Sequence, residues 1–319
     1  MNDVFRGPIG LIVNPRSRRN RERLDRVRAV YRAAERMLTR EIENVADIPS
    51  VLSEFAAAGT TLLAVSGGDG TVQATMTALI GRNPFASMPP LAVLAGGMTN
   101  VTGHRLGIPG KPDLGLTALL QRRDAGRPLN LLTHPVLSVR ANASADAQYG
   151  LLLGGAAFYD TTQLARRRVH PVGFAQSTAA AAAALILIGH TVVAGRKQGT
   201  RIGLRGDNAE LAGGNCYLFL ATTLPGLILG ADPFWGAGEA PIRWTWVKSP
   251  PRRFVSALLP LIRGTPRDWM ENEGYHSGRV VRLAIDCDAP LLFDGERIDP
   301  VPGEPIIVEG GHALTFARL

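Results

Sequence analysis

The chain has 319 residues, of which 45% are hydrophobic, 19% charged and 6% aromatic. That length predicts two domains rather than one, and the apolar fraction excludes disorder and coiled coil. With 35 Lys and Arg against 27 Asp and Glu, the formal net charge is +8, a field that favours anionic lipid, nucleotide phosphate or nucleic acid as partner.

The first part alternates strand and helix signals. Gly10–Val13 is a short apolar strand stopped by Asn14-Pro15. Arg19–Leu38 carries Leu24, Val27, Tyr31, Ala34 and Leu38 at three- and four-residue spacing, which predicts a helix with a basic, solvated outer face including Arg21, Arg23, Arg26 and Arg28. Glu41–Val45 reads as a second strand, and Ile48–Ala58 as a helix closed by Gly59. Thr61–Val65 is a buried strand that runs into Ser66-Gly67-Gly68-Asp69-Gly70-Thr71, with a helix resuming over Val72–Ile80. Leu91–Leu94 is a fourth strand, followed by Ala95-Gly96-Gly97-Met98-Thr99-Asn100. This alternation predicts an α/β domain with a mainly parallel sheet and function at the carboxyl ends of its strands.

The rhythm changes near Gly126-Arg127-Pro128, which divides the chain into residues 1–126 and 127–319, with a return of the extreme C-terminus onto the first domain left open. Short strands are predicted at Leu129–Arg140, Gly150–Ala157, Thr200–Arg205, Tyr217–Thr222, Ile242–Val247, Arg279–Ile285, Pro290–Phe293, Ile306–Val308 and Ala313–Phe316. They are separated by Gly, Pro, Asp and Asn, the pattern of a mainly antiparallel β-sandwich. Between them lie an alanine-rich helix, Ala179–Ala194, and a second helical stretch, Phe254–Ile262. The alanine-rich run falls short of the roughly 20 residues of a spanning helix, so it reads as buried or lipid-facing. Cys216 and Cys287 are the only cysteines and suit a reducing compartment, and the N-terminus lacks the basic leader of a secretory signal. A cytoplasmic protein is expected, in peripheral contact with the inner membrane at most.

Chemistry concentrates in three places. In Ser66–Thr71, glycines let backbone N–H groups approach phosphate oxygens, and the helix start behind them favours negative charge. Asp69 makes sense there holding magnesium or orienting an attacking hydroxyl, although an ordinary strand–helix turn with an aspartate cap has the same outline. Asn14, Ser17, Thr99 and Asn100 offer neutral hydrogen-bonding groups on two neighbouring loops, and Arg16, Arg18 and Arg19 add positive charge. Far downstream, Phe293-Asp294-Gly295-Glu296-Arg297 sets two carboxylates about a glycine, either as a proton acceptor or simply as a hairpin turn. The six histidines are scattered, with no pair at helical metal-ligand spacing.

Together these residues resemble the diacylglycerol kinase catalytic family, the bacterial lipid kinases related to sphingosine kinase. The resemblance rests on Asn14-Pro15-Arg16-Ser17, Gly67–Thr71, Leu94–Asn100 continuing into Arg105-Leu106-Gly107-Ile108, and Asp294-Gly295-Glu296, and it spans essentially the whole chain. It implies an N-terminal α/β nucleotide-binding domain and a C-terminal β-sandwich, with ATP and a lipid substrate meeting between them. By the same resemblance, Gly67, Gly68, Asp69, Gly70 and Thr71 bind ATP phosphates, with Asp69 in the Mg2+ network, and Asn14, Ser17, Gly97, Thr99 and Asn100 complete the nucleotide site. Asp294 and Glu296 match the family's acidic pair, Asp294 first as general base. The implied reaction makes phosphatidic acid from diacylglycerol at a membrane surface and belongs to phospholipid metabolism.

Four positions depart from the family pattern. Arg18 replaces a glycine, Met98 a threonine and Ala95 a proline, and Ala231-Asp232-Pro233-Phe234-Trp235-Gly236 stands where bacterial members often carry an Asp-Asp-Gly metal loop. Alternatives left open are an NAD kinase-like enzyme, which shares the glycine string, and a degenerate ATP- or lipid-binding protein. An NAD kinase expects an Asn-Glu pair that Val101–Pro109 lacks. A nucleic-acid platform is disfavoured by low aromatic content. A homodimer is left open.

Overall fold

The computed structural model describes residues 7–95, 103, 105–168, 199–207, 209–227 and 230–319. The chain forms two compact units, one of Met1–His134 with Ala313–Leu319 and one of Pro135–His312. Gly97, Met98, Thr99, Asn100 and the alanine-rich stretch Ala179–Ala194 lie outside the described residues.

In the first unit the order is β1 (Ile9–Val13), α1 (Arg18–Arg32), β2 (Met37–Glu41), α2 (Ile48–Ala57), β3 (Leu62–Gly67), α3 (Asp69–Arg82), β4 (Leu91–Ala95) and α4 (Pro112–Asp124). The strands lie in the order β2-β1-β3-β4, all parallel. Every residue of β1 and β3 is buried, as a parallel sheet covered on both faces requires. Val27 of α1 and Leu116 and Leu119 of α4 share one cluster with Leu11, Ala64 and Leu94 of the sheet. On α2, the Phe55 ring lies so close to Gly10 that a Cβ there would come within 2.5 Å of it. The sheet gains a further neighbour from the far end of the chain, where Phe316 pairs in parallel with Leu91.

Two predicted boundaries are corrected here. α1 stops at Arg32 rather than Leu38, capped at Ala33, and the chain turns through Arg36 in the left-handed region (φ 51°). Met37 and Leu38 therefore enter β2, opposite Ile9 and Gly10, and the strand predicted at Glu41–Val45 lies earlier, at Met37–Glu41. Leu38 satisfies both a helical and a strand pattern, so spacing alone could not choose. Residues Val45–Asp47 instead form a 3-10 turn closed by a capping box between Asn44 and Asp47.

The second unit contains α5 (Ala157–Arg168), α6 (Phe254–Arg263) and α7 (Asp268–Asn272) with antiparallel strands. One set runs β15 (Glu296–Ile298), β14 (Leu291–Phe293), β7 (Leu152–Ala156), β10 (Asn215–Thr222), β11 (Ile242–Lys248) and β12 (Tyr275–Val280). The other includes β9 (Glu210–Ala212), β8 (Thr200–Arg205), β13 (Arg282–Cys287), β6 (Gln148–Gly150) and the parts of β16 (Ile306–Arg318) up to His312 and of β5 (Asn130–Arg140) from Pro135. Phe219, Trp246 and Phe293 from the first set and Leu204, Leu283 and Ile306 from the second meet in one core, the interior of a sandwich.

Two strand predictions also change. The single strand Arg279–Ile285 is a corner between β12 and β13 at the exposed Val281, and the pair Ile306–Val308 and Ala313–Phe316 is one continuous strand, β16. Among the described residues, no helix is long and apolar enough to cross a membrane.

Candidate nucleotide site

The site begins with sheet register. Val13 lies opposite Ser66 and Gly67 opposite Ala95, so β1, β3 and β4 deliver their following residues to one edge of the sheet. The backbone N–H of Asn14 continues the ladder by donating to the Ser66 carbonyl at 2.9 Å.

Beyond that edge the two turns are bonded to each other. The Asn14 side-chain amide donates to Thr71 Oγ1 at 2.9 Å, while Asn14 Oδ1 accepts from the Arg16 N–H at 3.0 Å. Ser17 Oγ accepts from the Gly68 N–H at 3.0 Å. Gly67 has a steric reason to be glycine: a Cβ there would fall 2.6 Å from Thr71 Cβ, so Thr71 could not fold back to meet Asn14. Five predicted site residues, Asn14, Ser17, Gly67, Gly68 and Thr71, are thereby brought together. α3 begins at Asp69, earlier than the predicted Val72, with Gly68 as its N-cap in extended conformation. Asp69, Gly70 and Thr71 thus occupy the first helical turn, where backbone N–H groups point outward and the helix dipole favours anions.

Sequence reading missed the residue beneath this arrangement. Asn20 of α1 is fully buried, and its side-chain amide donates to the carbonyls of both Asn14 (2.9 Å) and Ser66 (2.7 Å). Its Oδ1 accepts from Ser66 Oγ at 2.7 Å. One side chain therefore ties the end of β1 to the end of β3. Embedded in Arg18-Arg19-Asn20-Arg21, it had the composition of a solvated helix face. The signal that could have found it is position: Asn20 lies one turn into a helix that starts directly behind the first loop.

The arginines divide. Arg16 and Arg18 are exposed, Arg18 beside Glu22 at 3.5 Å. Arg23 and Arg28, predicted on a solvated face, instead bind other elements. Arg23 meets the buried carboxylate of Asp113 on α4 at 2.5 Å, and Arg28 meets Glu41 on β2 at 2.7 Å. Tyr31 Oη also donates to Glu41 at 2.7 Å. The Arg28 hydrogen bond holds the Glu41 carboxyl below its ordinary value against the opposing pull of burial, while burial, followed by Glu41 itself, raises Tyr31.

The downstream acidic pair belongs to the second unit. Asp294 (φ 46°) and Gly295 (φ 95°) form the two-residue turn between β14 and β15, with Phe293 opposite Glu296. Positive φ at both central residues is the backbone demand that Asp-Gly meets in such hairpins. The Asp294 carboxylate is fixed by two backbone donors, Leu151 N–H to Oδ2 at 2.8 Å and Leu152 N–H to Oδ1 at 3.0 Å. Glu296 is exposed at the start of β15.

Two positions bear on metal binding. Divalent magnesium at a nucleotide is usually held by phosphate oxygens and water with one or two carboxylates, and Asp69 beside the glycine turn is a fitting donor of that kind. Among the described residues no group of three His, Cys, Asp or Glu side chains forms a protein-only metal cage. At the loop where the auxiliary metal was considered, Asp232 is occupied otherwise: Arg243, itself buried, reaches its carboxylate at 2.7 Å and lies over the Phe234 ring at 4.9 Å. A guanidinium already supplies the positive charge there, and that loop does not fit a further cation.

A parallel α/β unit with a glycine-rich turn leading into a helix N-terminus at the carboxyl edge is an arrangement whose backbone amides and dipole favour phosphate groups. Residues 8–129, from the start of β1 past α4, match the family model of the diacylglycerol kinase catalytic domain. No protein of curated function matches it in sequence. Among solved structures, one described as "a putative diacylglycerol kinase" from Bacillus anthracis str. Sterne is 16% identical with TM-score 0.63, over 98% of this chain and 97% of that one. A second from the same organism is 17% identical with TM-score 0.63, over 97% and 96%. At such identity the likeness is one of fold.

Proposed function

We propose that the protein transfers the γ-phosphate of ATP to a lipid hydroxyl, with diacylglycerol as acceptor and phosphatidic acid as product. The observation that carries this reading is the closure of the first turn onto the glycine turn: Asn14 to Thr71 and Gly68 to Ser17 hold two loops as one cradle at the start of α3. Phosphoryl transfer asks a protein for alignment and charge neutralisation more than for covalent chemistry. The amides of the first turn of α3 and the side chains of Asn14, Ser17 and Thr71 meet the phosphates. Gly97, Thr99 and Asn100 complete the nucleotide site, and Asp69 would hold Mg2+, which when bound neutralises phosphate charge. The proton of the lipid hydroxyl goes to Asp294, whose carboxylate is held in one orientation by two backbone amides, with Glu296 as the second candidate.

A second reading is favoured by one observation. The Arg243–Asp232 ion pair occupies the loop that otherwise would supply an auxiliary metal ligand, as expected of a nucleotide-binding protein without turnover. One experiment separates the two. Purified protein is given labelled ATP, Mg2+ and vesicles containing diacylglycerol or sphingoid bases, and the lipid fraction is counted. Labelled phosphatidic acid is expected, and Asp69→Ala lowers its rate at least about a hundredfold with little change in Tm. ATP binding without label in any lipid, or a normal rate in Asp69→Ala, refutes the mechanism.

A further inference from the structure

α6 is apolar on two faces. Phe254, Ala257 and Leu261 are buried in a cluster with Tyr217, Val247 and Tyr275. The other face is uncovered: Val255 is 87% and Leu259 54% exposed, and Ile262, one turn further, is half-buried. At spacings of four and three residues these side chains make one stripe. Beside it an open groove of about 660 Å³ is lined by Leu259, Pro260, Pro266, Arg267, Asp268 and Trp269 among others.

Arginine surrounds the stripe. Arg252 and Arg253 precede it with side chains 78% and 60% exposed, and Arg263 and Arg267 follow it, both exposed. Arg253 also lies over the half-buried Trp269 ring at 5.4 Å. The carboxylates of this corner are Asp268, Glu271 and Glu273, the last 3.7 Å from Arg252 and 3.8 Å from Arg253. An exposed apolar stripe with an indole at its side and a surplus of guanidinium around it has the chemistry of a helix lying at a lipid–water interface. Guanidinium binds headgroup phosphate through paired hydrogen bonds. A second copy of the chain on a twofold axis would bring the same cationic patch against itself, so charge favours an anionic surface as occupant.

We propose that the α6–α7 corner is a docking surface for an anionic phospholipid bilayer, with Val255 and Leu259 entering the headgroup region and Arg252, Arg253, Arg263 and Arg267 bound to lipid phosphate. Its purpose rests on the lipid-kinase reading, but its test does not involve turnover. Wild-type protein is sedimented with vesicles of equal parts phosphatidylglycerol and phosphatidylcholine, without diacylglycerol or ATP, alongside vesicles of phosphatidylcholine alone. Binding is expected to the anionic vesicles and to fall with added NaCl. The double variant Val255→Glu with Leu259→Glu should lower the partition coefficient on the order of tenfold or more, with Tm and ATP affinity unchanged. Arg263→Gln with Arg267→Gln should lower it several-fold and flatten the salt dependence. Failure of the wild type to sediment with anionic vesicles overturns the proposal, as does wild-type binding by the double glutamate variant. So does a dimer, seen by light scattering, that the glutamate variant disperses while vesicles bind neither protein. Vesicle binding without any lipid phosphorylation would leave this surface standing and remove the catalytic reading instead.

Discussion

Asn20 shows how much one buried amide can carry. It hydrogen-bonds the carbonyls of Asn14 and Ser66 and the Ser66 hydroxyl at once, directly below the two bonded turns. Asn20→Ala takes one donor from each carbonyl, both of which keep a backbone N–H, and leaves the buried Ser66 hydroxyl without its acceptor, at about 1–3 kcal/mol before relaxation. We expect a clear loss of stability by urea unfolding, together with weaker ATP binding by calorimetry, because the ends of β1 and β3 are no longer held in register. A variant destabilised but binding ATP as the wild type does would make Asn20 purely structural. Asp294 illustrates the converse. Its position was legible because Asp-Gly is a turn signal, but the two amides that fix its carboxylate come from Leu151 and Leu152, remote in sequence.

Between elements, the contacts that matter are those spacing cannot rank. The α1 arginines form a uniform basic run in the sequence, yet Arg23 and Arg28 clamp α1 to α4 and β2 through Asp113 and Glu41. For Glu41 the folded state favours the charged carboxylate, so its pairing is fully present above the ordinary carboxylate value of about 4.3 and is lost as pH falls through the lowered one. Glu41→Gln should therefore reduce stability by under about 1 kcal/mol at pH 7, since the pair is partly solvated, and the difference from wild type should shrink as pH falls through the lowered value and the carboxylate is protonated in the folded state. Urea titrations of both proteins across that range check it, and a deficit that persists in acid would assign the effect to packing. The end of α1 was misplaced for a related reason. Leu38 suits a helix or a strand, and the reversal at Arg36 is visible only in its backbone angles.

At the scale of the whole molecule, the first unit is completed by the last residues of the chain. Leu314, Phe316 and Ala317 are buried, and Phe316 pairs with Leu91 beside β4. Removing Ala313–Leu319 should destabilise this unit by several kcal/mol, since loss of a buried phenylalanine side chain alone is worth about 3–5. Hydrogen exchange should then accelerate first in β4 and β3. Unchanged protection there would mean that the terminal strand contributes nothing to the sheet.

What could be read without coordinates was short-ranged: strands that stop at Asn14 and Gly67, glycines that must precede a helix, a turn at Asp294-Gly295. Backbone geometry imposes those demands within a few residues, so composition and spacing record them. Which polar side chains are buried, which arginines are paired and which face of α6 is left uncovered depend on partners far away in the chain. Those were settled by packing, because desolvation and hydrogen-bond closure belong to a neighbourhood in space rather than to a segment.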